Sequence, residues 1–145
     1  TVARRCHQSW VLSADTVVVL QGTIFGKPGS PEEAITMLRR LSGREHQVFS
    51  GLCLMRVDPP CSRVLSVRTD VYFKRLSDAE IHAYVQTGEP LDKAGAYAIQ
   101  GMGSFLVESL HGSYTNVVGL PLCETLEWLM EQGIIAPARG SDMVE

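Results

Sequence analysis

Asp15 stands inside the run Val11 to Leu20, which is otherwise apolar apart from Ser13 and Thr16. A carboxylate in such a run is costly to bury unless it is hydrogen-bonded, holds a metal or faces a cleft. The same pattern fits an exposed stretch at residues 14–16, and the pattern alone weighs the two readings equally. Lys27 lies between Gly26 and Pro28, just ahead of a helix start, where an ammonium and free backbone N–H groups suit a phosphate. The run is not a Walker motif, and a turn lysine is most often merely solvated. A third group is Asp92-Lys93-Ala94-Gly95-Ala96-Tyr97 with Gln100-Gly101. Glycines let a backbone approach a ligand closely, and Lys93 and Gln100 offer donors to a phosphate or a base edge. A Gly-rich connection with solvated charges would have the same spacing.

Other chemistries find little support. His7, His46, His82 and His111 are scattered, without the i, i+4 spacing of a helical zinc site. Cys6, Cys53, Cys61 and Cys123 form no Cys-x-x-Cys pair, and reduced thiols of a cytosolic protein are the expected reading. No Gly-x-Ser-x-Gly elbow is present. Arg4-Arg5 and Arg39-Arg40 have no interleaved aromatics and read as solvated faces.

These groups need a scaffold, and the chain supplies one of ordinary composition. Its 145 residues are 45% hydrophobic and 20% charged, enough for one compact domain. The net charge of −3 argues against a nucleic-acid polymer or an anionic membrane as partner, while leaving room for a local basic pocket. No apolar run approaches the roughly 20 residues of a membrane helix.

Strands are expected over Val11 to Leu20, Thr23 to Phe25, Gln47 to Val57 and Arg63 to Arg75, with a short one over Phe105 to Leu110. Asp58-Pro59-Pro60 must break the third from the fourth, which makes those two antiparallel neighbours. Ser30-Pro31-Glu32-Glu33 and Ser77-Asp78-Ala79-Glu80 are capping boxes that start helices, and Gly43 and Gly88 suit their ends. A last helix opens at Pro121 with Leu122, Leu126, Leu129 and Met130 as its apolar stripe, read as core or interface. Residues 88–104 are too long and too Gly-rich for a simple turn, and long ordered loops are often functional. The tail at 138–145 is expected to fray. The architecture is α/β, a mixed sheet flanked by helices.

Several runs resemble the Maf family of nucleoside triphosphate pyrophosphatases. They are Ser13-Ala14-Asp15-Thr16-Val17-Val18, Gly26-Lys27-Pro28, Met37-Leu38-Arg39-Arg40-Leu41-Ser42-Gly43 and His46-Gln47-Val48, followed by Gly88 to Gly101 and Asn116-Val117-Val118-Gly119-Leu120-Pro121. They occur in family order over almost the whole chain. The resemblance implies an inosine-triphosphatase-like fold and cleavage between the α- and β-phosphates, with a divalent cation, Mg²⁺ or Mn²⁺, as cofactor. It makes Asp15 the proton acceptor, beside or bound to the cation, and Lys27 the group that neutralises phosphate charge, with Lys93 a second substrate-binding residue. Thr16 and Gln100 stand where the family separates substrate classes, and the pair looks like the dTTP/UTP branch rather than the 7-methyl-GTP branch. A cytoplasmic house-cleaning role, a link to septum formation and a possible homodimer come with the resemblance. A non-catalytic nucleotide-binding or division-regulating protein is the alternative from another class.

One departure matters. Family members begin with a strand and a Ser-x-Ser-x-Arg-Arg loop, then a helix and an acidic segment, and nothing here is equivalent. Arg4-Arg5 lie too close to Asp15 to serve. Thr1 to Ser9 reads as the end of the helix before the Asp15 strand, so the chain is expected to be most of a larger domain, with weak or no turnover by itself.

Overall fold

A computed structural model describes residues 2–6 and 8–138. Among the described residues one five-stranded sheet carries the fold, built of β1 (Val11–Leu20), β2 (Thr23–Phe25), β3 (Glu45–Arg56), β4 (Cys61–Phe73) and β5 (Val107–His111), in the order β2-β1-β3-β4-β5. Every pairing is antiparallel. Against the sheet lie α1 (Pro31–Leu41), α2 (Asp78–Gln86), the short α3 (Tyr114–Val118) and α4 (Leu122–Glu131). The α/β architecture with a helix-flanked sheet is therefore observed. None of the described helices is long and apolar enough to cross a membrane.

β1 pairs with β3 from Val11 opposite Met55 to Val19 opposite Gln47. On its other side β2 reaches only Val18, Val19 and Leu20. The edge of β1 from Val11 to Val17 thus has no strand beside it among the described residues, and Asp15 sits on that stretch.

Alternation organises the interior. His46, Val48, Ser50, Leu52 and Leu54 are all buried on one face of β3, because every second residue of a strand shares a face. At the His46 end this face meets the main core, where Leu38 and Leu41 of α1 and Ile81 of α2 pack with Phe73 and Leu106. At the other end Leu52 and Leu54 pack with Trp128 of α4. Ser50 sits between the two apolar clusters.

Both capping serines accept a hydrogen bond from the N–H three residues on. At α2 the box is reciprocal, with Glu80 accepting from the Ser77 N–H. At α1 Glu33 instead accepts from the Gly29 N–H at 2.7 Å, one residue further out, which pins the turn leading from Lys27. Gly43 takes a left-handed φ of 64° just past α1.

Four expectations are corrected. The segment before β1 forms a short 3₁₀ turn, Ala3–Arg5, in place of a helix end. A 3₁₀ turn at Gly101–Leu106 takes up the first residues of the expected last strand, which starts at Val107. Pro121 is the residue before α4 and not its first. Finally, of the stripe read as core or interface, Leu122, Leu126 and Met130 are exposed and so not core, while Thr125 and Trp128 are the buried residues of α4. The large Trp128 side chain, with Leu129 beside it, turns the helix so that its 125/128/129 face meets the sheet. The expected fraying falls almost wholly at 139–145, outside the described residues.

Candidate active site

An open cleft of about 380 Å³ gathers Asp15, Thr16, Lys27, Lys93 and Gln100, every site residue expected from the sequence, and adds Asp92. The volume is within the range of small-ligand sites. The residues come from three places: β1, the turn after β2, and the loop at 88–104.

Asp15 is exposed, and its Oδ1 accepts only the N–H of the next residue, Thr16, at 3.0 Å. The rest of the carboxylate is free to face a ligand. Asp15 is thus exposed on a part of the β1 edge that has no strand beside it among the described residues, and it lines the cleft.

Lys27 is exposed at the cleft rim. Its turn is stitched to the long loop by a hydrogen bond from the Gly95 N–H to the Gly26 carbonyl at 3.0 Å. The long loop is not irregular. It folds as 3₁₀ turns at Glu89–Asp92, Ala94–Ala96 and Gly101–Leu106. Lys93 Nζ pairs with Asp92 at 3.0 Å. That hydrogen bond above all, with the nearby Lys27 charge adding to it, holds the Asp92 carboxyl below the usual carboxylate range. Two ammonium groups and two carboxylates therefore share the cleft, and the lysines can turn to an incoming polyanion.

Gly95 is where the loop comes closest to β1. Its φ is 70°, and a Cβ there would stand 3.0 Å from both Val18 methyl carbons. Left-handed backbone and crowding add up, so Gly95→Ala should destabilise the fold by about 3 kcal/mol. Urea unfolding checks this, and an unchanged midpoint would contradict the packing described here.

Behind Thr16 runs a polar network that sequence reasoning missed. Thr16 Oγ1 lies 2.7 Å from Ser50 Oγ, its cross-strand partner, and 3.3 Å from the Gly119 carbonyl. Ser50 donates to the Asn116 carbonyl at 3.3 Å. The fully buried Asn116 amide donates to the Val48 carbonyl at 3.1 Å and to Thr69 Oγ1 at 3.0 Å. The network ties α3, whose end lines the cleft, to β1, β3 and β4. Polar residues at inward positions of alternating strands, Ser50 and Thr69, were the available signal.

Tyr97, on the cleft wall, is held from the core side by a 2.9 Å hydrogen bond between its hydroxyl and His46 Nε2. Phe73 completes an edge-to-face trio, with ring centroids 4.6 to 5.4 Å apart. Burial pushes the His46 ring down to about 4, and the Arg44 backbone offsets little because Nδ1 lacks a well-aligned hydrogen bond. His46 is therefore a neutral structural group.

Among the described residues no three His, Cys, Asp or Glu side chains converge as a metal cage. Asp15 and Asp92 are two carboxylates in one cleft. That donor set fits a Mg²⁺-like ion, which uses one or two carboxylates and completes its shell with substrate phosphates and water.

The chain has recognisable relatives among known proteins. The family model described as Maf-like protein matches residues 1–132. A dTTP/UTP pyrophosphatase of Syntrophus aciditrophicus is 53% identical over 123 residues, covering 85% of this chain and 60% of that protein. One from Caldicellulosiruptor saccharolyticus is 49% identical over 127 residues, covering 86% of the chain and 63% of the relative. One from Myxococcus xanthus is 51% identical over 140 residues, covering 97% and 70% respectively. The chain thus spans between three-fifths and seven-tenths of the length of these curated relatives. With the family model covering nearly all of its length and the expected residues meeting in one cleft, the chain belongs to the family of Maf-like proteins.

Proposed function

We propose that this chain carries the base-reading and proton-accepting side of a nucleoside triphosphate pyrophosphatase that converts dTTP and UTP to the monophosphate and pyrophosphate. The observation that carries the reading is the meeting of Asp15, Lys27, Lys93 and Gln100 in a single cleft, in a chain about half identical to relatives named dTTP/UTP pyrophosphatase.

In this reading a water molecule attacks the α-phosphorus. The new bond joins the water oxygen to phosphorus, the bond from the α-phosphorus to the bridging oxygen breaks, and pyrophosphate leaves with the electron pair. Asp15 takes the proton from the attacking water and returns it to solvent. Lys27 and Lys93 offset charge that builds on the phosphate oxygens toward the transition state, with Lys93 exchanging Asp92 for phosphate. The Gln100 amide can donate to a carbonyl and accept the ring N–H of uracil or thymine. Thr16, beside the base and fixed by Ser50, limits the room at the pyrimidine edge. Asp15, with Asp92 near it, would hold the divalent cation, which when bound supplies charge neutralisation and orients the phosphates.

The test compares two proteins: the 145-residue chain, and the same chain carrying the family's Ser-x-Ser-x-Arg-Arg segment ahead of Thr1. With Mg²⁺ or Mn²⁺, the extended protein should release pyrophosphate from dTTP and UTP, and chelation should abolish the release. The chain without the extension should be weak or inactive. Preference for 7-methyl-GTP in the same panel would move the protein to the other substrate class. Nucleotide binding without turnover by the extended protein would make it a non-catalytic binder.

A further inference from the structure

Gln100 is exposed at the crest of a tight loop, and an amide that reads a base edge must be held within fractions of an ångström. Among the described residues no hydrogen bond fixes its own side chain, so the loop must position it. The loop is gripped from below at both of its feet. On one side, the Ala98 N–H donates to the Tyr84 hydroxyl at 3.2 Å, and that hydroxyl donates to Glu89 Oε1 at 2.8 Å. On the other, the Met102 N–H donates to Glu89 Oε2 at 3.0 Å and the Gly103 N–H to Glu89 Oε1 at 2.9 Å. One carboxylate therefore collects three donors and closes a ring from Ala98 through Tyr84 and Glu89 to Gly103, with Gln100 at its apex.

The surroundings agree with a built device. Tyr84 is buried, and Gly103 lies so close that a Cβ there would collide with the Tyr84 hydroxyl and the Ala98 carbonyl. Partial burial pushes the Glu89 carboxyl up, but the hydrogen bonds from Tyr84, Gly103 and Met102 outweigh it and hold the group ionised. A carboxylate is the one side chain that can accept from all three donors at once.

Resting on the pyrimidine-nucleotide reading, we infer that Glu89, through Tyr84 and the Met102 and Gly103 amides, is the positioning residue that sets Gln100 for base discrimination. Neither Glu89 nor Tyr84 touches the reacting phosphates. Their loss should therefore affect recognition of the base more than the chemical step.

Glu89→Gln places an amide N–H₂ against backbone N–H groups and opens the ring. Tyr84→Phe removes only the Ala98 side of it. In the extended protein, Glu89→Gln should raise KM for UTP about tenfold and cut the preference for UTP over ATP at least fivefold, with kcat within about twofold. Tyr84→Phe should fall between it and the unmodified protein. An equal loss on UTP and ATP, with the preference intact, would show a purely structural role and overturn the inference. A second measurement needs no substrate. In the 145-residue chain, the Met102 and Gly103 amides should exchange slowly with solvent deuterium, and Tyr84→Phe should speed Ala98 exchange while leaving those two slow. Fast exchange at Met102 and Gly103 in the unmodified chain would overturn the ring even if Glu89→Gln failed to fold. Absence of UTP turnover with slow exchange would instead sink the functional reading and leave the ring standing as a loop anchor.

Discussion

Asp15→Asn in the extended protein should lower kcat for dTTP and UTP by about a thousandfold, within the range for losing a general base. Asparagine keeps the size of the side chain, and its carbonyl oxygen can still accept the Thr16 N–H, the one hydrogen bond Asp15 makes among the described residues. What it loses is the ability to take a proton from water, together with a charge that a divalent cation could use. Because Asp15 is exposed, the fold should be untouched, with a urea midpoint equal to that of the unmodified protein. A parallel assay of nucleotide binding separates the two losses, since a base alone leaves affinity nearly intact. Turnover within a few-fold of the unmodified protein would remove Asp15 from the mechanism.

The second large effect is on stability and is set by His46. Its ring is fully enclosed and titrates near 4 in the fold, while in the unfolded chain it titrates near the ordinary value of 6.5. Below pH 6.5 the unfolded chain therefore binds a proton that the folded chain refuses. The fold is at full strength above that value and loses stability as pH falls toward 4, where the folded ring begins to accept the proton as well. At about 1.4 kcal/mol per pH unit, the loss across that window is about 3 kcal/mol. Urea midpoints at pH 7.0, 6.0 and 5.0 should fall in step. His46→Phe keeps the edge-to-face packing with Phe73 and Tyr97, and its stability should decline by one proton's slope less over the same range. Equal slopes for the two proteins would show that His46 is protonated in the fold. The half-buried Glu80 carboxyl, drawn down to about 2 mainly by its hydrogen bond from Lys74, acts below its ordinary value of 4.5 and so under all three pH values, and the comparison isolates the histidine.

The same residues show how far a sequence can be read. β1 and β2 have the expected bounds because a β-branched run and a Gln-Gly turn are local signals. The hairpin of β3 and β4 follows from two prolines that cannot stay in a ladder, and the starts of α1 and α2 from their capping serines. α3 was invisible because five residues are too few for a helical period. On α4 the Leu and Met stripe shows as apolar in the sequence but does not say which face meets the sheet, which Trp128, three residues after Thr125, decides. In the site, Asp15, Lys27, Lys93, Thr16 and Gln100 were all legible as residue types, yet their convergence came from the family resemblance and not from spacing. The supports were not legible, since Ser50 and Asn116 find partners 34 to 68 positions away along the chain. Glu89 was hidden for another reason, because its partners are mostly backbone N–H groups, which leave no mark in a sequence.

The bare edge of β1 has a consequence for handling the protein. Among the described residues no strand lies beside Val11 to Val17 on this side, and their outward N–H and C=O groups, apart from the Thr16 N–H held by Asp15, are a template onto which an extended segment can add, including the same edge of a second molecule. β1 carries a single charged side chain, and it is Asp15. Two such edges meeting in antiparallel fashion would bring two carboxylates toward one another in a closing sheet. In the 145-residue chain, neutralising Asp15 would therefore remove the one β1 charge that opposes such pairing.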